Sequence, residues 1–185
     1  GRARHYDAWS GESEERLMTD DQGGLRRPED SASEITQLMM PGDVNNLGHL
    51  FGGVLLSMID RAAAVTAMRH ARQPCVTVAI DKVDFKEPIY AGEFVTCMAR
   101  VNFVGRTSME IGVEVVAEHP ITGVRRHTND CFLTFVAIDE DSRPSAVPGL
   151  ELNTDEDRQR FEDGKRRRKH REALEVELQS GLGSD

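Results

Sequence analysis

Between Gly52 and Arg69 apolar residues fall on almost every side of a helical wheel, and Asp60 and Arg61 are the only charges before Arg69. A helix of that kind cannot lie on a water-facing surface; it needs apolar cover on most of its sides. The rest of the chain supplies sheet for the purpose. Residues 34–40 read as a first strand, ended by Pro41 and Gly42. After Pro74 the pattern turns extended, with β-branched and aromatic residues at 76–85, 93–104, 108–119 and 126–138. Reversals at Ala91–Gly92, Gly105–Arg106 and Thr122–Gly123 predict an antiparallel meander. The fold class is therefore α+β, an antiparallel sheet of about five strands wrapped around one long central helix. A second helix is predicted over 155–178, with Thr154 as N-cap, acids in its first turn and cations beyond, and with Gly164 weakening its middle.

A chain of 185 residues holds one domain with a real core. Residues 1–32 are polar and predict a flexible arm with at most a short helical piece at 14–18; 33–148 form the domain and 149–185 a helical extension. A net charge of −9 argues against a nucleic-acid partner, so any anionic ligand must find a local basic patch. Cys75, Cys97 and Cys131 are odd in number, lack metal-type spacing and sit among apolar residues, which predicts reduced, buried thiols in a cytoplasmic setting. The longest apolar tract, 47–68, is broken by Asp60 and Arg61, and no membrane span or targeting segment is expected.

The residues able to do chemistry gather at the start of the central helix. Gly52 and Gly53 open it, where unpaired N–H groups and the helix dipole favour negative charge and no Cβ blocks an approaching substrate. Asn45, Asn46 and His49 form the polar turn before it. Asn side chains commonly brace such turns, and His49 has only Asp43 nearby as a partner acid. Asp60 lies about two turns inside the helix with apolar residues on both sides, and its neighbour Arg61 points about 100° away, so the two cannot pair. An acid so placed points into a cleft or an interface, where it can act as general base or nucleophile, the alternative being a buried structural ion pair. Gly105, Arg106, Thr107 and Ser108, at a turn between strands, suit a phosphate or polar tail. Six of the seven residues 165–171, among them Lys165, Arg166 and Arg168, are Lys or Arg; such a run is usually a solvated helical face, and a phosphate-rich ligand is the most economical partner for it.

Taken in order, Pro41, Asp43, Asn45, Gly48, Phe51, Gly52, Gly53 and Asp60, then Val76, Thr77 and Val78, then Phe85, Pro88, Ile89 and Gly92, then Gly105, Arg106 and Ser108, and finally Thr134, Phe135, Val136 and Ala137 resemble the hot-dog-fold acyl-CoA thioesterases of the YciA and brain acyl-CoA hydrolase type. The resemblance covers about residues 32–171. It implies the hot-dog fold and hydrolysis of acyl-CoA to a free acid and CoA, with no cofactor beyond the CoA of the substrate. It implies a site between two units, Asn45 from one and Asp60 from the other, in a homodimer or a trimer of dimers. The backbone N–H of Gly52 or Gly53 would hold the oxyanion, and Thr77, Arg106 with its turn, and the 165–171 run would meet substrate and CoA. His49 departs from the small polar residue common in relatives. An alternative is a hot-dog enoyl-CoA hydratase, whose Gly-Asp-x-Asn-Pro-Leu-His motif the segment from Gly42 to His49 approaches, but here the Pro is absent and the His comes one residue late. Another is an acyl-CoA-binding regulator without turnover.

Overall fold

The computed structural model describes residues 24–181, apart from Lys82 and Asp84. The arm expected over 1–32 lies outside the described residues as far as 23, as does its helical piece at 14–18. Its last part is ordered: β1 (Leu25–Arg26) pairs in parallel with β7 (Gly149–Leu150), and α1 (Pro28–Ser31) follows. Next come β2 (Ser33–Leu38), a single 3₁₀ turn (Pro41–Asp43), α2 (Gly52–Ala71), β3 (Cys75–Ile80), β4 (Phe94–Val104), β5 (Ser108–Glu118), β6 (Arg125–Ala137) and, after β7, α3 (Asp155–Gly181).

The five long strands form one antiparallel sheet in the order β2-β4-β5-β6-β3, curled around α2 in the hot-dog arrangement. Alternation along each strand carries the packing: Val95, Cys97, Ala99 and Val101 of β4, with Ile111, Val113 and Val115 of β5 and Leu133 and Phe135 of β6, are buried in one cluster with Leu55, Met58, Ile59, Ala62 and Ala63 of α2. Only β4, β5 and β6 form the expected meander. β3 lies at the far edge against β6, so Ala91–Gly92 does not close a hairpin with β4; Gly92, at φ 87°, instead donates its N–H to Met39 O and starts the pairing of β4 with β2. β3 also stops at Ile80, where the chain leaves the sheet.

One expectation about α2 needs correction. The sheet covers one side of the helix, while Gly53, Ser57, Arg61 and Met68 are exposed and Asp60 and Ala64 half-buried along the other. A single chain therefore leaves an open stripe on a helix whose composition asks for cover all round.

α3 starts with a reciprocal cap: Thr154 Oγ1 accepts from Asp157 N, and Asp157 Oδ2 accepts from Thr154 N, each at 3.0 Å. Gly164 does not break it. The helix presses onto the outer face of the sheet there, and a Cβ on Gly164 would stand 2.7 Å from Phe103 Cβ and 2.9 Å from Glu110 Oε1. Glycine lets the two backbones approach. No helix among the described residues is long and apolar enough to cross a membrane.

Candidate active site

The turn before α2 is held by its own asparagine. Gly48 takes φ 77° and donates to Asn45 O at 2.9 Å, while Asn45 N donates to His49 O at 2.7 Å. Asn45 Oδ1 accepts from Leu47 N at 2.9 Å and His49 N at 3.2 Å, which fixes the orientation of the amide and leaves its NH2 end to donate elsewhere. Phe51 N then donates to Asp43 O and α2 begins; Phe51 O accepts from Val54 N and Leu55 N. The N–H groups of Gly52 and Gly53 have no acceptor among the described residues. They belong to the unpaired donors that every helix start presents. Both glycines also serve packing, since a Cβ on Gly52 would lie 3.2 Å from Phe85 Cζ and one on Gly53 would lie 2.9 Å from the Phe51 ring.

Asn45, His49 and Gly52 share a cavity of about 430 Å³ whose far wall is Phe85, Pro88 and Ile89. His49 is half-buried there, its ring edge-on to Tyr90 at 5.3 Å between centroids. Asp43 does not partner it, because the Asp43 carboxylate accepts from Met40 N at 2.8 Å and closes the 3₁₀ turn.

Asp60 is not part of this cavity. Eight residues of helix separate it from Gly52, about 12 Å along the axis. It sits half-buried in the open stripe of α2, where Thr77 Oγ1 donates to Asp60 Oδ1 at 2.7 Å. Thr77, expected among the substrate-binding residues, is thus the carboxylate's own partner within the chain. Within one chain the sequence-predicted site falls into two pieces, Asn45 with the helix start and Asp60 with Thr77.

The basic candidates divide as well. The turn between β4 and β5 closes with Gly105 N donating to Ser108 O at 2.7 Å, and the Arg168 guanidinium lies where a Gly105 Cβ would be. Gly105, Arg106, Thr107, Ser108 and Arg168 therefore form one patch; Arg106 is exposed, and its side chain has no partner among the described residues. Thr77 faces Phe135, Phe135 faces Met109, and Met109 faces Val104, so this turn stands two to three strand spacings from Thr77 at the same end of the sheet, about 10–14 Å along it. In the 165–171 run, Arg166 pairs with Asp163, Arg168 with Glu172, and Lys165 is exposed. Arg167 and Arg171 turn inward to Glu110, only 2 % exposed, and Arg171 also binds Asp81. Sequence reasoning missed that cluster. Its signal was present as two arginines one turn apart in a helix that packs on the sheet, whose strand β5 carries Glu110 on an otherwise apolar stretch beside Met109 and Ile111.

The cysteines take no part. All three are free, Cys97 and Cys131 are buried and Cys75 half-buried, and burial pushes their thiols up to about 12, about 11 and about 11 respectively, far from the reactive thiolate. Among the described residues no group of three or more His, Cys, Asp or Glu could hold a metal ion.

Comparison with known proteins gives consistent results. A family model described as the thioesterase superfamily matches residues 47–124. The acyl-CoA thioester hydrolase YkhA of Bacillus subtilis, itself uncharacterized, is 40% identical over 157 residues, covering 81% of this chain and 89% of YkhA. Among solved structures, an apo-hexameric acyl-CoA thioesterase superposes with TM-score 0.79 at 40% identity, over 82% of this chain and 97% of that one. The acyl-CoA hydrolase of Staphylococcus aureus, in complex with butyryl coenzyme A, coenzyme A and coenzyme A disulfide, gives 0.79 at 30% identity, over 85% and 96%. Variants of that enzyme with an asparagine, an aspartate or a threonine replaced by alanine also match, with TM-scores of 0.80, 0.79 and 0.76.

Proposed function

From the premise that the chain belongs to the thioesterase superfamily, among the acyl-CoA thioester hydrolases, we propose that it hydrolyses acyl-CoA at sites shared between two copies of itself. Asn45, Gly52 and Gly53 of one copy bind the thioester carbonyl, and Asp60 of the other supplies the carboxylate. The observation that carries this reading is the position of Asp60, about 12 Å of helix from the free N–H groups yet half-buried in a stripe of α2 that one chain leaves open. The variants of the Staphylococcus aureus hydrolase support it, since the replaced asparagine, aspartate and threonine follow one another at the same intervals as Asn45, Asp60 and Thr77. So does the hexameric state of the related thioesterase, which is compatible with a trimer of dimers.

In the reaction, Asp60 takes a proton from water as the water oxygen attacks the thioester carbon. Thr77 holds the carboxylate in position through Oδ1, leaving Oδ2 to face the water. The carbonyl oxygen gains charge and is met by the Gly52 or Gly53 N–H at the positive end of the helix and by the Asn45 amide NH2. As the tetrahedral intermediate collapses, the C–S bond breaks and the proton on Asp60 passes to the departing sulfur, giving free acid and CoA. His49 lines the carbonyl side of the cavity. Arg106 and Ser108, with Arg168 and Lys165 beside them, form the patch that receives CoA phosphates; the ion pairs of Arg166 and Arg168 are exposed and cheap to exchange for a phosphate.

The test is a panel of acyl-CoAs of increasing chain length with release of free thiol as readout. Thiol release by the native chain and its loss in Asp60→Ala are expected. An Asp60→Ala protein that keeps its oligomeric state and full turnover would remove Asp60 from the mechanism, and consumption of crotonyl-CoA without thiol would point to a hydratase instead.

A further inference from the structure

The wall of the substrate cavity is hung between two arginine–carboxylate clamps. After β3 the chain leaves the sheet at Asp81, passes Phe85, Pro88 and Ile89 along the cavity, and rejoins the sheet near Glu93. At the far end, Arg126 of β6 binds both oxygens of Glu93 at 2.8 and 2.7 Å and donates to Pro88 O at 3.4 Å, while Leu50 N donates to Ile89 O at 2.7 Å. At the near end, Asp81 N donates to Phe132 O at 2.9 Å, and Arg171 of α3 reaches down to both Asp81 oxygens at 3.0 and 2.7 Å. Arg171 is held in turn by buried Glu110 at 3.7 Å, and Arg167, one turn earlier, binds Glu110 at 2.7 Å with its guanidinium 3.7 Å over the Phe132 ring.

We propose that Arg171 is a positioning residue for substrate selection: through Asp81 it fixes the near end of the wall and so sets where Phe85 stands over Gly52. Three observations support it. The Arg171–Asp81 pair is shielded, with side chains 23 and 21 % exposed, whereas Arg168–Glu172 on the same helix is 40 and 59 % exposed, so the first pair is the one that constrains geometry. Only three residues of chain lie between Asp81 and Phe85, four Cα steps that span at most about 14 Å, so fixing Asp81 limits how far Phe85 can move. Phe85 itself stands 3.2 Å from where a Gly52 Cβ would be, at the helix start assigned to the carbonyl. The C-terminal helix thus belongs to the substrate site although it does not line the cavity.

This inference rests on the acyl-CoA hydrolase reading for its substrate, and its test has an arm that does not. Arg171→Met and, from the other side of the pair, Asp81→Asn are compared with Arg160→Met, which breaks only an exposed pair with Glu156. The first readout is hydrogen exchange of peptides covering residues 85–89: at least about threefold faster exchange is expected for Arg171→Met and Asp81→Asn, and none for Arg160→Met. The second is the chain-length profile of kcat/KM. A well-fitted apolar wall discriminates by about tenfold or more per methylene, and that discrimination is expected to fall at least about threefold, through KM more than kcat. Arg171→Lys is expected to restore most of it, because a single nitrogen, Nη1, makes both bonds to Asp81. Unchanged exchange in both Arg171→Met and Asp81→Asn would overturn the proposal, as would faster exchange with an unaltered chain-length profile. A native chain that turns over no acyl-CoA would defeat the hydrolase reading, while the exchange arm still decides whether Arg171 holds the wall.

Discussion

If each site takes Asn45 from one chain and Asp60 from another, two inactive variants should repair each other. Asn45→Ala removes the amide donor facing the carbonyl, for which oxyanion-type donors contribute about 10²–10³ in rate; Asp60→Ala removes the base, for which about 10²–10⁴ is usual. Each variant alone is therefore close to silent. In a two-fold dimer of one chain of each kind, one site receives the native Asn45 and the native Asp60, and the other receives both substitutions. Random pairing of equal amounts makes about half of the dimers mixed, each with one working site of two, so co-expression should recover about a quarter of the native rate. The structural ground is the 12 Å or so of helix between Gly52 and Asp60 together with the absence of Asp60 from the Asn45 cavity. The assay is thiol release from the best acyl-CoA, with the two variants carrying tags of different mass so that native mass spectrometry counts mixed dimers. A co-expressed sample containing the expected mixed dimers but no more active than its parents would refute the shared site and return both residues to a single chain.

Other consequences are testable singly. Thr77→Val keeps the shape but deletes the 2.7 Å bond to Asp60, and since a hydrogen bond to a charged group is worth about 1.5–3 kcal/mol, kcat should fall at least about tenfold with KM nearly unchanged. Arg106→Ala should raise KM for acyl-CoA about 3–10-fold and weaken its salt dependence; the same KM at low and high salt as the native chain would remove Arg106 from the CoA site. Gly164→Leu forces a side chain against Phe103 and Glu110 and should cost about 1–3 kcal/mol, read as a lower Tm. His70, fully buried with Nε2 on Pro148 O at 3.0 Å and Nδ1 without a partner among the described residues, has its pKa lowered by burial. Its unfolded form takes up a proton first, so its contribution to stability is complete above pH about 6.5 and is lost as the pH falls toward the folded value, by at most about 1.4 kcal/mol per pH unit. Urea titrations of the native chain and His70→Gln between pH 7.5 and 5 should converge as the pH drops.

The parts of this molecule that could be read from sequence are those fixed by local pattern. The period of the apolar residues in α2, the alternation in β4, β5 and β6, the Thr154 cap and the glycine turns at Gly105 and Gly123 are statements about neighbours in the chain. What escaped depends on contacts distant in sequence. Nothing local says that β3 pairs with β6 and not β4, because a hairpin and a crossover have the same strand pattern when the connection is long enough. Gly164 read as a weak point because propensity counts a missing side chain as a loss, whereas against Phe103 the missing Cβ is what permits contact. The basic run read as a uniform charged face, yet Arg167 and Arg171 point into the sheet and only their neighbours face water. At the site, Asn45, Gly52 and Asp60 stood out by residue type, but the hydroxyl of Thr77 on the Asp60 carboxylate spans helix and strand and left no local trace.

That bond also ties chemistry to association. Thr77 lies on β3, the strand at the open edge of the sheet, among Val76, Val78 and Ile80, which are 43, 61 and 42 % exposed. An edge with unpaired backbone groups and three exposed β-branched residues invites another chain, and the open stripe of α2 that carries Asp60 adjoins it through this same bond. If a second copy covers that edge, as the shared-site reading requires, it also shields Asp60 from bulk solvent while leaving the attacking water, and brings its own Asn45 turn within reach. Turnover should then follow assembly, not chain concentration: on dilution, specific activity should fall along the same curve as the dimer fraction measured by light scattering or mass photometry. A charge placed on the edge, as in Val78→Lys, should shift both curves together to higher concentration. Dissociated chains retaining full specific activity would contradict the coupling even if Asp60 itself proved essential.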